Sequence, residues 1–280
     1  MQPIFNGVAT AMVTPFDQEQ IDWARFKNLI ERQIDQGVDA LLFLGTTGEM
    51  PTLSHAERHA VVDFALATVG NRVPLIFGIG GNDPTTIIDL GLYVAKQARA
   101  AGVRPAIMVS SPYYNKATPD GLYAFFQKIT NAVKLPTIVY NIPTRTGVNI
   151  DPQTMAKIAR LRYVAGIKEA SGNLQQIAQV VALCPHTAVY SGDDTLALAC
   201  YAVGCRGIIS VASNLAVTPV QNIYRLYNQG HPWQALTLFQ SQLPLYQSLF
   251  RVVNPIPVKS ELAKMGLIKN ALRLPLLPDK

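Results

Sequence analysis

Tyr163-Val164-Ala165-Gly166-Ile167-Lys168-Glu169-Ala170 is a short apolar, β-branched run that ends on a lysine. A run of this length between polar residues reads as a buried strand of a parallel sheet. Side chains alternate along a strand, so Lys168 and Glu169 point to opposite faces. If Lys168 faces the interior of a barrel, its ammonium loses water and its pKa falls toward neutrality. The neutral amine is then a nucleophile able to form a Schiff base with a carbonyl compound. Taken alone, a strand-end lysine more often snorkels to solvent. The rest of the chain decides between the two.

Working outward, seven further runs of the same kind recur: Val8 to Val13, Ala40 to Leu44, Pro74 to Phe77, Pro105 to Val109, Thr137 to Tyr140, Thr187 to Tyr190 and Gly207 to Val211. Most are followed by helix-period sequence. Trp23, Phe26, Ile30 and Ile34 form an apolar stripe with Asp22 as N-cap and Gly37 closing the helix. Ser54-His55-Ala56-Glu57 has capping-box spacing, and Asp83-Pro84 is a cap followed by proline in the first helical position. Pro119 and Pro152 stand where two more helices should begin. Strand alternating with helix predicts an α/β fold, a (β/α)8 TIM barrel of parallel strands. A doubly wound sheet is the alternative, but no G-x-G-x-x-G follows the first strand. After about Thr218 the pattern is helical alone, through Val220–Tyr227, Trp233–Phe250 and Val258–Met265. The expected division is a barrel over residues 1–224 and a small C-terminal helical part over 225–280, packed as one body.

The chain has 280 residues, 49% hydrophobic and 15% charged, near the usual size of such a barrel with a short addition. No run approaches the roughly 18 uninterrupted apolar residues of a membrane span. Met1-Gln2-Pro3-Ile4-Phe5-Asn6 lacks the pattern of a secretory signal, so a cytoplasmic enzyme is expected. The net charge is +6, but lysines and arginines are scattered singly, which argues against nucleic acid and leaves a field suited to anionic substrates. Cys184, Cys200 and Cys205 fit reduced core thiols. His55 and His59 share a helix face, but neither they nor His186 and His231 make a metal-ligand pattern.

In such a barrel the chemistry sits at the carboxyl ends of the strands. Those ends read Gly45-Thr46-Thr47-Gly48-Glu49, Gly78-Ile79-Gly80-Gly81-Asn82, Ser110-Ser111-Pro112-Tyr113-Tyr114-Asn115, Tyr140-Asn141-Ile142-Pro143-Thr144-Arg145-Thr146-Gly147, Lys168, Ser191-Gly192-Asp193-Asp194 and Gly207-Ile208-Ile209-Ser210. A Gly-flanked threonine turn exposes backbone N–H groups and two hydroxyls to a carboxylate. An arginine on the same rim suits bidentate carboxylate binding. Each feature has an ordinary structural explanation by itself. Together they put a nucleophile, hydroxyl relays and an anion clamp around one rim.

These motifs, with Gly166-Ile167-Lys168-Glu169-Ala170 and Asn254-Pro255-Ile256-Pro257-Val258-Lys259, closely resemble the dihydrodipicolinate synthase family from about Phe5 to Pro275. The resemblance implies a class I aldolase-type lyase of lysine and diaminopimelate biosynthesis. It would condense pyruvate with L-aspartate 4-semialdehyde through a lysine Schiff base, giving 4-hydroxy-tetrahydrodipicolinate, with neither metal nor cofactor. By residue, Lys168 matches the Schiff-base lysine, and Tyr140 the proton-shuttling tyrosine. Thr46 matches the threonine that links Tyr140 to a second tyrosine, which is Tyr114 and comes from the neighbouring subunit. Thr47 matches the holder of the pyruvate carboxylate and Arg145 the binder of the semialdehyde carboxylate. Gly192 and Ile209 match positions lining the pyruvate pocket. A homotetramer built from two dimers is implied, with the dimer as minimum.

Related aldolases, N-acetylneuraminate lyase and the 2-keto-3-deoxy-sugar-acid aldolases, share the lysine and the strand-five tyrosine, but Arg145 and the Thr46-Thr47 pair favour the synthase. A non-catalytic keto-acid-binding barrel is the remote alternative. Two departures stand out. His55, Asn82 and Tyr113 match positions of a lysine-feedback site. However, Met50 and Pro51 replace small residues, Arg58 replaces a histidine, and no glutamate stands near Thr86 and Ile87. Weak or absent inhibition by lysine is expected, since Arg58 would repel its amino group. The chain also stops at Leu274-Pro275-Leu276-Leu277-Pro278-Asp279-Lys280, where relatives usually continue into another helix, and this bears on the expected tetramer.

Overall fold

The computed structural model describes residues 2–279. β1 (Gly7–Ala11), β2 (Ala40–Phe43), β3 (Leu75–Gly78), β4 (Ala106–Ser110), β5 (Thr137–Asn141), β6 (Val164–Glu169), β7 (Ala188–Ser191) and β8 (Gly207–Ser210) form a closed barrel. Each pairs in parallel with the next, and β8 closes on β1 through Gly7↔Gly207 to Thr10↔Ser210. The expected (β/α)8 barrel is the observed one.

Most crossover helices start where a side-chain cap dictates. α1 (Trp23–Asp35) is capped by Asp22, whose side chain accepts from Arg25 N. α2 (His55–Val69) opens with the full Ser54–Glu57 capping box, and α3 (Pro84–Ala100) follows Asp83 with proline in its first turn. α4 (Pro119–Val133) and α5 (Pro152–Ala159) begin at the two expected prolines, capped by Thr118 and Asp151. α6 (Leu174–Leu183) and α7 (Ala197–Ala202) complete the turns after β6 and β7. Such caps are worth roughly 1 kcal/mol each and help fix where the capped helices begin, whereas Leu196, ahead of α7, makes no side-chain cap.

α8 (Val217–Asn228), α9 (Pro232–Ser248) and α10 (Ile256–Lys264) make up the helical end of the chain. Residue 224 falls inside α8, which continues to Asn228. No helix among the described residues is long and apolar enough to cross a membrane.

Short elements beyond those the sequence announces include a hairpin and a helical turn. Phe16–Asp17 pairs antiparallel with Gln20–Ile21, a hairpin whose turn contains no glycine or asparagine to announce it. A single helical turn, Pro143–Thr146, follows β5 and ends on Gly147 at φ 71°.

Alternation along the strands divides the core in two. One set of side chains fills the barrel, among them Phe5, Leu42, Met108, Ile138, Tyr190 and Ile209. The larger set packs between strands and helices. Phe5 stacks on Tyr190 with ring centroids 4.2 Å apart, and the Tyr190 hydroxyl donates to the Phe5 carbonyl at 3.0 Å. Gly166 admits that large ring, for a Cβ there would lie 3.0 Å from Tyr190 Cε2.

Candidate active site

β6 delivers Lys168 and Glu169 to opposite faces, as strand geometry requires. Lys168 is 7% exposed, and its Nζ lies 4.3 Å from the centre of the Tyr140 ring. Tyr140 is its register partner on β5. Burial draws the Lys168 amine down to about 8; the Asp194 carboxylate opposes this and Arg145 reinforces it. At pH 7 about one amine in ten is then neutral, against about one in three thousand for an unperturbed lysine. Gly192 clears the path of this side chain, since a Cβ there would come within 2.9 Å of Lys168 Cε.

Glu169 turns outward and is fully buried. Its carboxylate accepts from Asn141 Nδ2 at 3.1 Å and from Ser171 N at 2.9 Å. That Asn141–Glu169 bond ties β5 to β6 behind Lys168, and Asn141 and Gln176 both donate to Asn149 Oδ1, which links β5 to α6. Asp194, the carboxylate acting on Lys168, accepts from Ser210 Oγ at 2.5 Å and from Val211 N at 2.9 Å.

Tyr140 is buried, and loss of solvent pushes its phenol up. Arg145 and the Thr46 hydroxyl oppose that push. The phenol therefore holds its proton at neutral pH. A cavity of about 500 Å³ opens above, lined by Thr46, Arg58, Asn82, Tyr113, Tyr140 and Arg145 among others. Arg145 also lines a second cavity of about 340 Å³ that reaches Gly192 and Asn254. Ile209 is buried inside the barrel wall.

The Thr46–Glu49 turn is held by the far end of the chain. Asn254 Nδ2 donates to Thr47 Oγ1 at 3.0 Å, and the Asn254 carbonyl accepts from Arg145 Nη2 at 3.0 Å. Glu49, left-handed at φ 54°, pairs with Lys259 Nζ at 2.5 Å. Its second oxygen accepts from Arg273 N at 3.1 Å. Asn254 and Lys259 stood in the quoted motifs without a role, and no local pattern exposes their contacts.

Lys168, Tyr140, Thr46, Thr47, Arg145, Gly192 and Ile209 thus gather at one end of the barrel. Tyr114 does not join them. It is 86% exposed, takes a left-handed backbone at φ 71°, and is tethered by its N–H to the Thr146 carbonyl at 3.2 Å. Nor do the three residues matched to the feedback site share one cavity. Asn82 and Tyr113 line the cavity of about 500 Å³, where the Tyr113 N–H donates to Asn82 Oδ1 at 2.7 Å. His55 lines a separate one with His59, whose ring stacks on Tyr93 at 3.7 Å. Among the described residues no group of three or more His, Cys, Asp or Glu could hold a metal ion.

Comparison with known proteins identifies relatives of the chain. The model of the dihydrodipicolinate synthetase family matches residues 4–280. A 4-hydroxy-tetrahydrodipicolinate synthase of Alkaliphilus oremlandii is 42% identical over 276 residues, covering 98% of this chain and 93% of that protein. One of Bacillus subtilis is 41% identical over 277 residues, covering 98% and 94%. The crystal structure of dihydrodipicolinate synthase from Thermotoga maritima superposes with a TM-score of 0.94 at 39% identity, covering 99% of this chain and 94% of that one. A family match over nearly the full length, on a barrel with a buried lysine at the end of its sixth strand, settles the kinship: the chain belongs to the dihydrodipicolinate synthetase family.

Proposed function

We propose that this protein is a lyase that condenses pyruvate with L-aspartate 4-semialdehyde to give 4-hydroxy-tetrahydrodipicolinate, with Lys168 as the nucleophile. The observation that supports this most is the buried Lys168 amine, drawn down to about 8 and lying on the Tyr140 ring. Neutral Lys168 attacks the ketone carbon of pyruvate, and the resulting carbinolamine loses water to form a protonated imine. Tyr140, kept protonated by burial, gives the proton that water takes away, and the Thr46 hydroxyl returns one to it. The cationic imine acidifies the pyruvate methyl, and the enamine so formed attacks the aldehyde carbon. The amine of the second substrate then attacks the imine carbon, closes the ring and releases Lys168.

Thr47 holds the pyruvate carboxylate and Arg145 the carboxylate of the semialdehyde, while Gly192 and Ile209 wall the pyruvate. Tyr114 completes the hydroxyl relay of a neighbouring subunit; its exposure and tethered left-handed backbone suit a residue presented outward. The working assembly is therefore at least a dimer, with a tetramer of two dimers as the full form, in the cytoplasm. The barrel over residues 1–224 carries the chemistry, and the helical part over 225–280 braces the rim.

The test is substrate choice. Pyruvate consumption should depend on added semialdehyde, with no cleavage of N-acetylneuraminate or 2-keto-3-deoxygluconate above background. Cleavage of either sugar acid without turnover of the semialdehyde would assign a retro-aldolase instead.

A further inference from the structure

We propose that Asn254 is a positioning residue that sets the Thr47 hydroxyl and the Arg145 guanidinium in one frame, so that the two substrate carboxylates are received at a fixed separation. The inference rests on the reading of Thr47 and Arg145 as the two carboxylate holders.

Asn254 lies between α9 and α10, outside the barrel's own loops, and is 6% exposed. Its side chain and its backbone act on different partners. Nδ2 donates to Thr47 Oγ1 at 3.0 Å. A hydroxyl has one hydrogen to give and two lone pairs to offer. With one lone pair engaged by the amide, the Thr47 hydrogen stays free to donate, which is what a carboxylate requires. An aspartate at 254 would reverse the polarity, taking the Thr47 hydrogen for itself.

The Asn254 carbonyl accepts from Arg145 Nη2 at 3.0 Å and leaves the other guanidinium N–H groups free for a bidentate partner. The place of that carbonyl follows from the place of the residue, which the Thr47 bond helps to hold. One side-chain contact therefore bears on both holders. Preorganising two binding groups this way lowers the ordering cost of bringing two anions to one nucleophile. Asn254 Oδ1 is buried with no hydrogen-bond partner among the described residues, an acceptor left for a donor that the loaded site supplies.

The experiment compares wild type with Asn254→Ala, Asn254→Asp, Thr47→Val and the Thr47→Val/Asn254→Ala pair. The readouts are thermal unfolding, borohydride trapping of pyruvate on Lys168 at saturating pyruvate, kcat, and KM for each substrate. Asn254→Ala should raise KM for both substrates together by about tenfold, with kcat lowered less than about threefold and trapping still complete. Asn254→Asp should raise the pyruvate KM further than Asn254→Ala does. The double variant should raise it little beyond Thr47→Val alone.

Unchanged KM values, a loss confined to kcat or to the folded fraction, or full additivity with Thr47→Val would overturn the proposal. If Asn254→Ala does not fold, the near-isosteric Asn254→Asp decides by the same KM readout. Failure of wild-type trapping would instead count against the Schiff-base reading itself, so the two failures are distinguishable.

Discussion

Lys259 Nζ lies 2.5 Å from Glu49 Oε1, with both side chains sealed from solvent and the ammonium 4.2 Å from the centre of the Phe16 ring. The pair spans the turn that carries Thr46 and Thr47 and the helix that follows Asn254. A buried pair adds little net stability against an apolar substitute, because desolvation offsets the Coulomb attraction. Breaking it on one side is another matter, since the remaining charge is left buried and alone. Lys259→Met should cost about 3–5 kcal/mol of unfolding free energy, and Glu49→Gln/Lys259→Met distinctly less. Urea unfolding of wild type and the two variants reads this directly; a double variant as unstable as Lys259→Met would contradict it.

Lys168 makes the reaction pH-dependent in a stated direction. Only the neutral amine attacks, and burial draws Lys168 down to about 8. The pyruvate kcat/KM should climb nearly tenfold per pH unit below that value and level off above it. Removing the guanidinium in Arg145→Leu takes away a charge that lowers the amine, so the inflection should move to higher pH. A profile still rising past pH 10 would mean the lysine is not desolvated during catalysis.

Gly192 matters for volume. A Cβ at this position would lie 2.7 Å from the Ala170 Cβ and 2.9 Å from Lys168 Cε. Gly192→Ala should fold with a loss of about 1–3 kcal/mol, the usual range for overpacking. Its Lys168 should form the pyruvate adduct at least about tenfold more slowly, because the chain is pushed off its line of attack. Stopped-flow trapping measures that rate, and a wild-type rate would show the lysine path to be wider than the geometry allows.

L-Lysine should inhibit weakly or not at all. Arg58 lines the cavity of about 500 Å³ beside Asn82 and Tyr113, its Nε buried without a partner among the described residues, while His55 opens into another cavity. A cationic ligand there meets the Arg58 guanidinium, while the carboxylate that lines this cavity, Asp83, is engaged as the cap of α3. Half-inhibition at sub-millimolar L-lysine would contradict this.

The barrel was legible because its signals are local. All eight apolar runs lie within two residues of the observed strands, and Asp22, Ser54 and Asp83 cap the helices they announce. Lys168 could be singled out because it ends such a run, and the Gly-flanked threonines because their turn follows one. The hairpin at Phe16–Ile21 was not legible, being too short for any alternation to register. The grip of the chain's far end on the rim was hidden for a different reason. Asn254 meets Thr47 across 207 positions, and Lys259 meets Glu49 across 210. Periodicity and capping report neighbours along a helix or strand; contacts of that separation depend on how the helical end packs against the barrel.

Among the described residues two lysines are buried and drawn down to about 8, so desolvation alone does not choose the nucleophile. Lys259 is held in its pair with Glu49, whereas Lys168 has no ion-pair partner among the described residues. Reduction with borohydride in the presence of pyruvate, followed by peptide mass mapping, distinguishes them. The account predicts one stable pyruvate adduct per chain, on Lys168, abolished in Lys168→Ala and retained in Lys259→Met. An adduct on Lys259, or none on Lys168, would contradict it.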